Sequence, residues 1–395
     1  MSRFLPDLLA LTCLAASAAM ACSPETPAQD QAPLGVDGPV DLADVSVLFP
    51  LPRSGEPDQL LRASLDLGAG RVLLPAAVAR RLSLLQEDTA TTYDSLRVVS
   101  LRLEPCFREA GARVSDCKQQ VRFVLQPVAT STAGEMSALD AAAHVFYELR
   151  TETYVALARA LLDGRPRSAR APLGVHPLLA KEGLAGPFAR MLEARIIAAA
   201  ADGELVRATF MTVRGRGNEW QFGGFRVSDG GAVVEPLTIA SSTASLQSIV
   251  LQTTQSTFLK SIAPPAADAE VAPLLDALTT VAASPEELQA GLGAANRIEN
   301  PDLRSSEDTD CASCHTAASS RRWAERTLKV RSEVDRFASP TFDLSVTSPA
   351  VDDVAVLRAF GYLGTAPVVS PRTIHDTANA ARLTNRLLQK NNETP

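Results

Sequence analysis

Residues 311–315 read Cys-Ala-Ser-Cys-His, and this pentapeptide constrains the chain more than any other stretch. Two thiols two residues apart on a tight turn can reach one common partner, and the adjoining imidazole adds a third donor. Three chemistries use such a pair: covalent attachment of a cofactor, thiol–disulfide exchange, and half of a zinc site. Zinc needs a second ligand pair, and the chain has no second C-x-x-C and no H-x-x-x-H. A redox dithiol usually opens a helix fed by a strand. Here the flanks, 305–310 and 316–320, are polar and rich in small residues. With six Cys and four His in 395 residues, the five-residue pattern arises by chance in roughly one such chain in a thousand.

C-x-x-C-H is the spacing that attaches haem c. The two thiols add to the two vinyl groups, and the adjacent imidazole ligates the iron from the proximal side. On Cys311, Cys314 and His315 the segment resembles the c-type cytochromes. The resemblance implies one covalent haem c, with Cys311 and Cys314 as thioethers and His315 as proximal ligand. It extends to residues 301–395 through size and helical character alone. Two features depart from small cytochromes. The stretch before Cys311 is Pro-, Asp- and Ser-rich and lacks the usual helix with Gly and an aromatic residue. All five Met precede the motif, which excludes a distal Met loop after it. His375 is the only His downstream, and the neighbouring Asp376 could orient its ring. It is the distal iron ligand this reading names. His144, in an apolar run, and His176, before a Pro, are lesser candidates. Met136, Met191 and Met211 could serve only if the rest of the chain packs around the haem.

Haem c is attached outside the bacterial cytoplasm, and the N-terminus agrees. Residues 1–22 carry Arg3, a short apolar run and Ala19-Met20-Ala21-Cys22, which resembles a lipobox with lipid attachment at Cys22. An ordinary secretory signal cut near Ala21 is the competing reading, and either one exports the chain. Residues 23–40 are Pro-, Gly- and Asp-rich and read as a flexible linker. No other run has the length of a membrane-spanning helix. With Cys13 removed in the signal segment and the haem pair and Cys22 assigned, Cys106 and Cys117 remain at two strand ends, expected to form a disulfide, with two buried thiols as the competing reading.

A net charge of −7 and an aromatic content of 5% argue against a nucleic-acid partner. Strands are expected at 45–50, 62–67, 95–103, 121–128, 205–213 and 219–227, with more within 232–250. A short helix is expected within 71–85, and helices at 137–162, 187–201, 271–283, 285–295, 321–337, 352–360 and 373–388. The region 285–295 has Ser284 as N-cap and Pro285 at the first helical position. The expected fold class is α+β: a mixed strand/helix domain over 41–260, a helical connector over 261–300, and a mainly helical haem-binding segment over 301–395. No Ser-His-Asp set, H-E-x-x-H, P-loop or dinucleotide fingerprint stands out. The function expected is electron transfer by a lipid-anchored periplasmic haem protein with a periplasmic redox partner. The alternative is an exported binding or structural lipoprotein whose main role lies in 41–260, with accessory or no haem. A haem peroxidase is a weaker third reading, and it would need acid/base groups at an open distal site.

Overall fold

The computed structural model describes residues 40–53, 56–82, 84, 89–108, 116–130, 134–163, 173–214, 219–238, 245–252, 257–258, 269–305, 309–344 and 360–392. The expected signal segment with Cys22, the linker before Val40 and all but Phe360 of the helix expected over 352–360 lie outside them, and Phe360 opens a strand. The described helices are α1 (Leu42–Val45), α2 (Ala76–Ala79), α3 (Thr89–Ser95), α4 (Thr151–Asp163), α5 (Pro177–Glu182), α6 (Pro187–Asp202), α7 (Ala277–Ala282), α8 (Pro285–Ile298), α9 (Cys311–Leu328) and α10 (Pro371–Asn392). The strands are β1 (Ser46–Leu48), β2 (Asp66–Gly68), β3 (Arg71–Val72), β4 (Leu96–Phe107), β5 (Lys118–Thr130), β6 (Met136–Ala138), β7 (Ala141–Leu149), β8 (Glu204–Arg214), β9 (Glu219–Ser228), β10 (Val233–Pro236), β11 (Leu246–Gln252), β12 (Thr257–Phe258), β13 (Phe360–Leu363) and β14 (Ala366–Val369).

The fold is mixed α+β, and one antiparallel sheet dominates it. Ten strands run in the order β1-β4-β5-β7-β8-β9-β11-β12, with β6 beside β5 and β10 beside β9. Residues directly opposite in an antiparallel pair share a face, so the register sorts side chains into ladders. Leu101, Phe123, Val145 and Ala208 form one apolar ladder across β4, β5, β7 and β8. All four are fully buried in the main core. The adjacent residue on each strand points to the opposite face, where the ladder is Arg102, Arg122, Phe146 and Arg207.

The helix expected over 137–162 is instead β6, β7 and then α4. Ala141–Leu149 is Ala-rich and suits a helix locally, yet β7 sits mid-sheet with β5 on one side and β8 on the other. Two full ladders of hydrogen bonds and burial on both faces override the modest helical preference of Ala. The short helix expected within 71–85 is α2, preceded by β3. The helix expected over 321–337 begins at Cys311 and ends at Leu328, where Lys329 turns left-handed (φ 57°). α6, α8 and α10 occupy their expected places, and α8 carries a complete Ser284/Glu287 capping box.

The C-terminal elements join the sheet. α10 packs on β4 and α1, and Asn385 accepts a hydrogen bond from the Val40 N–H at 2.9 Å. α9 lies between two cores. Ala312 belongs to the sheet core, whereas Ala317 and Ala324 join a satellite cluster with Val271, Leu274, Leu292 and Ile298. Beside that cluster Arg321 and Glu299, both buried, pair at 2.9 Å. No described helix is long and apolar enough to cross a membrane.

Candidate functional site

The site is built where α9 starts. Asp310 is its N-cap, and a carboxylate oxygen accepts from the Ser313 N–H at 3.1 Å. Gln247 of β11 clamps the same turn from the sheet. Its amide nitrogen donates to Asp310 at 2.5 Å, and its amide oxygen accepts from the Ala312 N–H at 2.9 Å. Two orphan donors of the first turn are thereby satisfied, and the start of α9 is tied to the sheet. Cys311, Cys314 and His315 then stand at i, i+3 and i+4, which places them on one helical face.

Both thiols are unbridged. Cys311 packs against the sheet core. Burial, reinforced by the nearby Cys314 and Asp310, pushes the Cys311 thiol up to about 12. Burial also raises Cys314, opposed by the positive charge of Arg372. The His315 ring lies against Phe222 of β9, centroid to centroid 4.9 Å.

The sheet face bearing Phe222 carries three polar or mixed ladders. The first runs Arg102, Arg122, Phe146, Arg207, Arg226 and ends at Glu235. Like charges directly opposite each other repel, and here Glu104 and Asp376 offset part of the cost. Glu104 bonds Arg102 and Arg122, each at 2.7 Å. Asp376 of α10 bonds Arg102 at 3.2 Å and Arg372 at 2.9 Å. These arginines hold both carboxyls below the usual carboxylate range despite their burial. Arg207 stacks over Phe146 at 3.9 Å and Phe107 at 4.5 Å, and burial pulls its pKa down to about 9. The second ladder is Val124, His144, Thr209 and Gly224. Burial, then the charges of Arg122 and His315, hold His144 well below the usual imidazole range. The third is Ala142, Met211, Phe222 and Gln247.

The structure therefore brings His144 and Met211 to the face that α9 covers. It seats His375 elsewhere on α10, with its Nδ1 2.8 Å from the Glu299 carbonyl and its ring 5.1 Å from that of Phe337. His176 is stacked on Phe188 of α6, and Met136 and Met191 lie in β6 and α6. Cys106 and Cys117, at the facing ends of β4 and β5, are joined by a disulfide with Cα atoms 4.5 Å apart.

Sequence reasoning missed the arginine ladder and the Gln247 clamp. The ladder leaves one local signal: each arginine sits between apolar residues of a strand, as in Leu101-Arg102-Leu103, Val121-Arg122-Phe123, Val206-Arg207-Ala208 and Phe225-Arg226-Val227. No family model matches the chain, and neither a curated protein nor a solved structure does.

Proposed function

We propose that this chain is an exported, lipid-anchored haem c protein, with haem held by Cys311 and Cys314 and ligated by His315, that passes electrons to a periplasmic partner. One observation carries the reading: two unbridged thiols and an imidazole occupy one turn at the start of α9, while Cys106 and Cys117 are committed to a disulfide. The donor set suits the group, since two thiols and a neutral nitrogen are what covalent haem attachment consumes. When bound, the haem supplies a one-electron couple. The protein's own residues do the rest. Asp310 and Gln247 hold the attachment turn against the sheet. Phe222 supports the His315 ring. Arg122 and Arg372, whose charges reach Cys314, offer cations to propionate groups.

For the distal position, His375 retains Nε2 as a donor, since Nδ1 is occupied by the Glu299 carbonyl. His144 and Met211 compete from the sheet face, and His144 is close enough to His315 to feel its charge. Anchoring through Cys22 supplies the membrane attachment in this reading. The second reading, a binding lipoprotein with accessory or no haem, draws support from a cavity lined by Arg207 and Arg226 of the arginine ladder.

The test is a pyridine haemochrome spectrum on the full chain produced with haem c maturation machinery. A c-type α band with one haem per chain, lost in Cys311→Ala, is expected. An unmodified wild-type mass would sink the proposal. Low-temperature EPR of His375→Ala, His144→Ala and Met211→Leu then identifies the distal ligand by which substitution changes the spectrum.

A further inference from the structure

The arginine ladder ends in a cavity that the haem reading does not use. A volume of about 270 Å³ opens between β5, β7, β8, β9 and β10 beside the disulfide, lined by Phe107, Gln120, Arg207, Arg226, Val233 and Leu237 among others. Three observations at its wall point to a ligand. Arg207, 7% exposed, lies over the Phe146 ring at 3.9 Å and the Phe107 ring at 4.5 Å, and these contacts hold its guanidinium in place. Arg226 lies directly opposite it on β9, so two guanidinium groups line one wall of the cavity. Gln120 is 1% exposed, and its side-chain oxygen has no hydrogen-bond partner. A buried acceptor without a donor carries a desolvation penalty that a ligand hydroxyl would relieve. Phe107, Val233 and Leu237 supply apolar surface beside these groups. Lys118 and Glu148 also line the cavity but neutralise each other at 3.1 Å, and Glu235 sits beside Arg226 in register.

We propose that this cavity binds a small organic acid. Its carboxylate is gripped by Arg207 and Arg226, its apolar body lies along Phe107 and Leu237, and a hydroxyl donates to Gln120. The volume lies just under the range of drug-sized sites, which selects a single ring or short chain over a lipid. Planar, forked guanidinium groups suit a carboxylate better than a spherical anion.

The probe is 4-hydroxybenzoate, titrated by isothermal calorimetry into the full exported chain, with benzoate and 4-hydroxybenzyl alcohol as comparators. Saturable one-to-one binding of 4-hydroxybenzoate is expected. The neutral alcohol should bind at least about tenfold more weakly, as expected for loss of a charge-assisted contact. Arg207→Gln should weaken the acid by about tenfold or more, on the same grounds. Arg226→Gln, at an exposed strand position, provides the same test without disturbing the buried stack. Gln120→Leu should weaken 4-hydroxybenzoate by about threefold to tenfold and leave benzoate unchanged. Cys311→Ala/Cys314→Ala, which removes haem attachment, should bind the acid as the wild type does. The proposal is overturned if no acid binds saturably, if Arg226→Gln leaves affinity intact, or if binding appears only in the chain without the two thiols. That last result would assign the arginines to haem propionates.

Discussion

His176 offers a quantitative test of the fold. It precedes α5, where its backbone N–H donates to the Leu48 carbonyl at 2.9 Å. Its ring stacks on Phe188 at 4.6 Å with 10° between planes. The residue is 4% exposed, and Nδ1 has no partner. Burial lowers its pKa from 6.5 to about 4. Between those values the unfolded chain binds a proton that the folded chain does not. The stabilisation is therefore complete above about pH 6.5 and is lost as pH falls through that window to about pH 4. At about 1.4 kcal/mol per pH unit, the total is about 3 kcal/mol. His176→Phe keeps the stack and removes the titration, and any overpacking cost of about 1–3 kcal/mol is independent of pH. Denaturant unfolding followed by circular dichroism, from neutrality down to pH 4, measures the difference. The wild type should lose about 3 kcal/mol more than the variant across the window. His144 and His375 are also held below the usual imidazole range by burial, but they act on both proteins alike and cancel in the comparison. Parallel stability curves for the two proteins would refute the reasoning.

Other perturbations test the site directly. Glu104→Gln removes the carboxylate between Arg102 and Arg122 and should cost about 3–5 kcal/mol in urea unfolding, because it strands buried charge. A loss under about 1 kcal/mol would show that the ladder tolerates its own repulsion. Gln247→Leu deletes both bonds that tie the start of α9 to the sheet, and about 2 kcal/mol of stability should go with them. In haem-free protein the same substitution should speed alkylation of Cys311 by iodoacetamide, and an unchanged rate would show the clamp to be idle. Replacing Cys106 and Cys117 together by Ala opens a link across a sequence separation of 11. That change should lower stability by about 3 kcal/mol, read as a lower denaturation midpoint than that of the oxidised protein.

Local signals made some elements legible in advance. Ser284, Pro285 and Glu287 announce α8, since capping and a proline at the first helical position act within one turn. Alternating apolar residues in 95–103 and 121–128 announce β4 and β5, and their ends set Cys106 and Cys117 side by side. Ala141–Leu149 misled, because its composition suits a helix while its partners, β5 and β8, lie some 20 and 60 residues away along the chain. Asp310 as the cap of α9 was equally hidden. Its bond to the Ser313 N–H is local, but the clamp that ties it to the sheet comes from Gln247, 63 residues earlier in the chain.

The sequence by itself determined the spacing of Cys311, Cys314 and His315, the export-like N-terminus and the mixed α+β class. Each follows from residues close together in the chain, or from composition. The tertiary structure alone decided what those three residues face. Strand register lined up Arg102, Arg122, Arg207 and Arg226 from four strands, put His144 and Met211 on the face beneath α9, and left Gln120 against a cavity. The physical reason is that a strand's side chains alternate with a period of two, so each residue's face follows from its own strand. Its neighbours across the sheet follow from pairing between distant segments, and no local pattern encodes that pairing.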